Sequence, residues 1–193
     1  MTEGKTETAA TRSIGAQALK AFAHPLRMAM YDALRDHGSA TATQLGERLG
    51  ESSGVTSYHL RQLAKHGLVE DDPTHTGGRE RWWRTVGFAM DDPTVLHDAS
   101  LKTQTDTVLQ HMLAERTQAL GAVIRALPTD AWQTAIGFSS TTTTMTPAEL
   151  DAALDEAFAT IQRHADAAKA AHPNGPEGEA RRVRIYLDGF PLP

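Results

Sequence analysis

The chain contains no cysteine, which removes disulfides and thiolate metal sites together and fits a reducing cytoplasm. It also lacks any run of about 18 apolar residues, so no membrane-spanning helix is expected. The first dozen residues, MTEGKTETAATR, hold no apolar stretch of the kind a signal peptide needs, and the expectation is a soluble cytoplasmic protein with no membrane partner. There is no glycine-rich phosphate loop, no clustered pair of acids and no thiol nucleophile, so neither an enzyme nor a cofactor is expected. An excess of positive charge is missing as well: 19 Lys and Arg stand against 24 Asp and Glu, a net charge of -5.

That acidity is unevenly spread. Residues 12–90 carry ten Lys or Arg against eight Asp or Glu, and residues 91–193 carry eight against fourteen. The N-terminal part is therefore mildly basic and suited to a polyanion. So modest an excess predicts dependence on a local patch and on dimerisation rather than strong nonspecific affinity. With 193 residues and 40 % hydrophobic side chains, the chain can build one large domain or two small ones around a real core.

The most informative stretch runs from Ala40 to Glu70 and reads as two short helices joined by a tight turn. Thr41 and Gln44 have the spacing of a capping box, Leu45 and Leu49 give one apolar stripe, and Gly50 stops the first helix. Ser52 caps the second, and Thr43 joins Thr41, Gln44 and Ser52 as the residues expected to support the turn. Val55, Leu60 and Leu63 then recur at helical spacing, while Ser53, Thr56, Ser57, Tyr58, Arg61 and Gln62 fall largely on the opposite side, with Lys65 near the end. No carboxylate stands between Ser52 and His66. A helix needing only solubility would carry glutamates there; this one suits a nucleic-acid groove.

Flanking segments complete the pattern. Ile14 to Ala23 reads as a helix interrupted at His24-Pro25, with Pro25 favourable at the first position of the next helix, which ends at His37-Gly38. Residues 68–71 and 79–86 read as strands of a hairpin around Asp72-Pro73-Thr74-His75-Thr76-Gly77-Gly78, and one of Trp82 and Trp83 is expected to face the core. Residues 1–12 are polar and aperiodic and read as a disordered tail.

Three of these segments together, LKAFAHPLRMAMYDALRDHG at 19–38, SSGVTSYHLRQLAKHGLVE at 52–70 and GGRERWWR at 77–84, resemble the ArsR-type winged helix-turn-helix regulators. The resemblance covers residues 14–90 and is closest to the longer bacterial members with a C-terminal extension. It implies a dimeric DNA-binding transcriptional regulator, a repressor by preference, whose hold on an operator changes with a signal. On that reading the recognition helix begins at Ser53; Thr56, Ser57, Tyr58 and Arg61 lie nearest the base edges and Gln62 and Lys65 nearer the backbone, with Arg61 able to read guanine bidentately. His59 is either a packed histidine or a phosphate contact. The wing contributes Thr76, Gly77, Gly78, Arg79 and Arg81 to the minor groove or nearby phosphates, unless Glu70, Asp71, Asp72 and Glu80 hold the arginines instead. Two-fold symmetry predicts an inverted-repeat operator with half-sites one helical turn apart.

Beyond residue 90 the expectation is a dimerisation and effector region. A helix over 93–127 presents Leu109, Met112, Leu113, Leu120, Val123 and Ile124 for a homodimer. A strand at 132–140, a helix at 147–171 begun by the Thr146-Pro147-Ala148-Glu149 capping box, and a strand at 181–190 make a small β-α-β tail. The expected fold class is thus α+β: a winged helix-turn-helix at 13–90, then a long dimerisation helix and the tail. Trp132, Phe138, Phe158 and Tyr186 are either core or the lining of a small-molecule effector pocket. His97, Asp98, His111 and Glu115 are the only metal-ligating candidates. The histidines stand too far apart for a zinc-sensing pattern, and no metal is expected. The rival reading is a winged helix used for protein contact, without an operator.

Overall fold

The computed structural model describes residues 12–75, 80–173 and 175–192. It separates into two compact units, residues 1–127 and 128–193. The expected tail at 1–12 and the wing tip Thr76, Gly77, Gly78 and Arg79 lie outside the described residues, apart from Arg12.

Local chemistry accounts for the order of elements in the first unit. Strand β1 (Arg12–Ser13) leads into α1 (Ala16–Phe22), and α2 (Pro25–His37) starts where Pro25 follows the N-cap His24. Strand β2 (Ala40–Thr41) runs straight into α3 (Ala42–Leu49) through the Thr41–Gln44 capping box, in which each side chain accepts from the other's backbone N–H. Gly50 then adopts the left-handed conformation, φ 70°, that ends α3, and the Ser52 hydroxyl accepts from Val55 N–H to open α4 (Ser53–Lys65). The turn is tight enough that a β-carbon on Gly46 would stand 2.6 Å from the Glu51 carbonyl oxygen. Only glycine fits there.

Strands β3 (Val69–Asp71) and β4 (Trp82–Thr85) form the hairpin, and β2 pairs on the other side of β4, giving an antiparallel order β2-β4-β3 with Ala40 and Asp71 both opposite Trp83. A second, parallel pairing joins β1 to β5 (Phe88–Ala89). Helix α4 packs against α1, α2, α3 and β3, and the core runs through Leu19, Met30, Leu34, Leu45, Leu60, Leu63 and Trp83. Trp83 is thus the inward tryptophan, whereas Trp82 stacks on His75 at 3.9 Å. Phe22, Tyr31 and Phe88 make an aromatic cluster, and burial pushes the Tyr31 phenol up to about 12 while its hydroxyl donates to the Val86 carbonyl.

The expected single helix over 93–127 is broken. Asp92 caps the short α5 (Pro93–Leu96), and Asp98 accepts from Ser100 N–H at 2.8 Å, starting a 3-10 turn (Ala99–Leu101) that leads into α6 (Lys102–Arg125). Because Leu101, Thr105 and Val108 are buried and α6 packs on α1, this helix belongs to the first unit. The boundary therefore falls after Leu127 and not after residue 90.

The second unit holds α7 (Pro147–Ala171), opened by the Thr146–Glu149 capping box as its sequence implies. The β-α-β expectation is corrected: among the described residues neither 132–140 nor 181–190 forms a strand. Asp130 accepts from Trp132 N–H at 3.0 Å and winds Ala131–Thr134 into a 3-10 turn, which overrides the alternation that follows. Residues 181–190 keep an alternating pattern but meet no ladder partner, and alternation without a neighbouring strand does not make a sheet. Gly189 instead lies against Leu150 and Leu154 of α7, where a β-carbon would come within 2.9 Å of Leu150.

Candidate nucleic-acid interface

The caps and glycines just described leave one long face of α4 turned outward beside the hairpin. Ser53, Tyr58, Arg61 and Lys65 are exposed, with Tyr58 at 52 %, and Ser57 and Gln62 are half-buried. Between this face, the first turn of α3 and β4 lies a cleft of about 310 Å³ whose polar walls are Thr43, Ser53, Ser57, Arg61, Glu80 and Arg81. The sequence-predicted supports Thr41, Gln44 and Ser52 all act as caps at its edge.

One expected base contact is corrected. Thr56 is 0 % exposed, and its hydroxyl donates to the Ala42 carbonyl at 2.7 Å. It ties α4 to the start of α3 and cannot reach a base edge. The β-branched side chain and a hydroxyl that bonds backward along the helix make this possible, a role that helical spacing alone does not separate from an outward one.

Arg81 and Arg84 of the hairpin are not free cations. Arg81 makes a bidentate ion pair with Asp71, its Nη2 standing 2.7 Å from Oδ2, and its guanidinium lies 4.0 Å over the Trp83 ring. Arg84 pairs with Glu70 at 2.6 Å. Glu80 accepts from the Thr43 hydroxyl at 2.8 Å, across the mouth of the cleft. At the root of the hairpin, burial alone would push the Asp72 carboxyl up, but hydrogen bonds from Ser39 and Thr74, with His75 alongside, outweigh it and hold the group at about 2. Sequence reasoning missed this anchor because Ser39 lies 33 positions away.

His59 is half-buried and its ring centroid is 4.8 Å from that of His24, so its principal neighbour is a second histidine. The dimer candidates sit on the outer part of α6, where Leu109, Met112, Leu113, Val123 and Ile124 are exposed, Leu113 and Ile124 to about 60 %, and Leu120 is half-buried. The metal-ligating candidates are drawn into other work. His111 Nε2 lies 2.6 Å from Asp32, Glu115 meets Arg35 at 3.0 Å, His97 and Asp98 end and begin helical turns, and among the described residues no three such groups cluster. In the second unit Trp132 donates to the Glu179 carbonyl and lies beside Arg181, Tyr186 is half-buried, and Phe138 and Phe158 are exposed. The four aromatics do not form an enclosed lining.

Residues 22–72 match the family of helix-turn-helix domains. Among solved structures the chain is similar to the homodimeric winged helix-turn-helix DNA-binding domain of a possible ArsR-family transcriptional regulator from Mycobacterium bovis. The identity is 21 %, over 52 % of this chain and 77 % of that one, with a TM-score of 0.35. It is also similar to a possible transcriptional regulator for arsenical resistance, at 24 % identity over 56 % of this chain and 96 % of the other, with a TM-score of 0.33. None of the curated proteins matches the chain. Residues 22–72 match a helix-turn-helix domain, and the β3–β4 hairpin follows the second helix of that match in the position of a wing.

Proposed function

We propose that the chain is a sequence-specific DNA-binding transcriptional regulator that acts as a homodimer, with α4 as the recognition helix. The observation that carries this reading is the outward face of α4: free of carboxylates, bearing Ser53, Ser57, Tyr58, Arg61 and Lys65, and bordered by a cleft that the hairpin completes. Ser57, Tyr58 and Arg61 approach the base edges; Gln62, Lys65 and Thr43 approach phosphates. Arg81 exchanges Asp71 for a phosphate on binding, since the pair is open to water and a phosphate offers the guanidinium the same bidentate geometry within a polyanion.

The dimer reading is supported by the outer face of α6. An apolar stripe that recurs from Leu109 to Ile124 and stays open to water is the pattern a symmetric helix pair covers. Two copies would present their α4 helices to successive major-groove turns, which calls for an inverted repeat and fits repression by occupancy. Among the described residues no helix is long and apolar enough to cross a membrane.

The test is a gel shift of the full chain on its own upstream region and on a scrambled duplex, at two salt concentrations. Specific retention that falls steeply with salt is expected. Arg61→Ala is expected to lose about 1–3 kcal/mol on the operator and much less on the scrambled duplex. Binding that fails to distinguish the two duplexes overturns the reading and leaves a winged helix for protein contact.

A further inference from the structure

Two imidazole rings meet where the start of α2 touches α4, in a place the DNA reading leaves unused. His24 is the N-cap of α2, and its Nδ1 accepts from Leu26 N–H at 3.2 Å. The His59 ring of α4 lies 4.8 Å away at an angle of 40°, with the Tyr58 ring 5.2 Å from His59. His59 Nδ1 is buried and, among the described residues, has no hydrogen-bond partner.

The charged groups around the pair come from three elements. Arg27 of α2, whose Nε donates to the Ala21 carbonyl, acts on both rings; Tyr58 shares α4 with His59; Glu51, in the turn before α4, favours a charged His59. The arrangement suits neutral rings. To accept from Leu26 N–H, His24 Nδ1 must offer a lone pair, and a proton there would set donor against donor. The positive end of the α2 dipole opposes a charge at the same point. A proton on His59 would meet His24 and Arg27 in a half-buried space.

We propose that the His24–His59 contact is a proton-sensitive joint between α2 and α4, so that acid loosens the recognition helix and releases DNA. This rests on the reading that α4 enters the groove. Burial first, then Arg27 and, for His59, the partner ring, hold both groups below the usual imidazole range. Since the folded state favours the neutral form, the contact is at full strength above about pH 6.5 and weakens as pH falls below that value. The direction is diagnostic. Acid charges exposed histidines and makes a chain of net charge -5 less acidic, which by itself strengthens DNA binding.

The full chain is titrated by fluorescence anisotropy at fixed salt against a duplex from its own upstream region, from about pH 7.5 to about 5.5. Affinity is expected to fall about tenfold or more. In His24→Asn, which keeps a capping acceptor, and in His59→Gln, it is expected to stay level or rise. A second readout needs no DNA: in NMR titrations the His24 and His59 rings are expected to titrate below the usual imidazole range, with α4 amide signals moving over the same range. Wild-type affinity that rises with acid, or rings that titrate within the usual imidazole range, overturns the proposal. Coupled titration with α4 movement in a chain that binds no duplex at any pH keeps the joint and overturns the DNA reading instead.

Discussion

Helices α4 and α7 carry similar apolar stripes and meet different fates. In α4, Leu60 and Leu63 are wholly buried because α1, α2, α3 and β3 close around them. In α7, Leu150, Leu154, Ala157 and Ile161 have the same periodicity, yet over 25 residues none is fully buried. The difference lies in the number of opposing surfaces rather than in composition. A stripe becomes core only when a second and third layer face it, and the second unit supplies α7 with a covering chain around Gly189 and little more. Helix α6 shows both fates along one axis, buried at Thr105 and Val108 and without a fully buried residue from Leu109 onward.

That contrast breaks most directly under truncation. Leu60→Ala is expected to cost about 2–5 kcal/mol in urea unfolding and Leu154→Ala under about 1.5 kcal/mol; equal losses would mean that α7 has a packed partner. The next effect concerns the polar anchor of the first unit. The Asp72 carboxyl lies at about 2 instead of 3.8, so its stabilisation is complete above pH 3.8 and is lost as pH falls toward 2. Up to about 2 kcal/mol of acid-labile stability is expected, and Asp72→Asn should remove that slope while being less stable at neutral pH. On α6, Ile124→Glu is expected to weaken the dimer about tenfold or more in sedimentation equilibrium, about 1.4 kcal/mol, with the unfolding midpoint of monomeric material unchanged. Smallest is Thr56→Val, which keeps shape and burial but leaves the Ala42 carbonyl one donor short. A loss of about 1 kcal/mol in stability is expected, with the preference for operator over scrambled duplex intact.

What could be read in advance follows the range of the forces involved. The caps at Thr41, Ser52 and Thr146, the stop at Gly50 and the helices they bound depend on residues within four positions, and the structure matches the sequence there. Asp98 belongs to the same class, but its cap was hidden inside a long apolar period and split the expected helix. The strands at 132–140 and 181–190 depended on a distant neighbour that alternation alone does not supply. In the candidate site, Ser57, Tyr58, Arg61 and Lys65 follow from helical spacing. The inward turn of Thr56 and the His24–His59 contact join residues more than ten positions apart, whereas the Asp71 grip on Arg81 is one of two readings open in the sequence and the structure selects it. Side chains of opposite character on one helix face are separable only once that face's neighbours are known.

The chain's three tryptophans make it its own spectroscopic probe. Trp83 is buried under the Arg81 guanidinium at the wall of the cleft, Trp82 lies flat on the His75 ring at the hairpin root, and Trp132 belongs to the second unit. Withdrawal of Arg81 toward an anion changes the quenching of Trp83, and any movement of the hairpin that parts His75 from Trp82 changes the emission of Trp82, while Trp132 supplies an internal reference. Replacing Trp82 or Trp132 by Phe leaves the remaining emission to be assigned ring by ring. Occupancy of the cleft can then be followed in unlabelled protein, by light emitted from the residue that forms its wall.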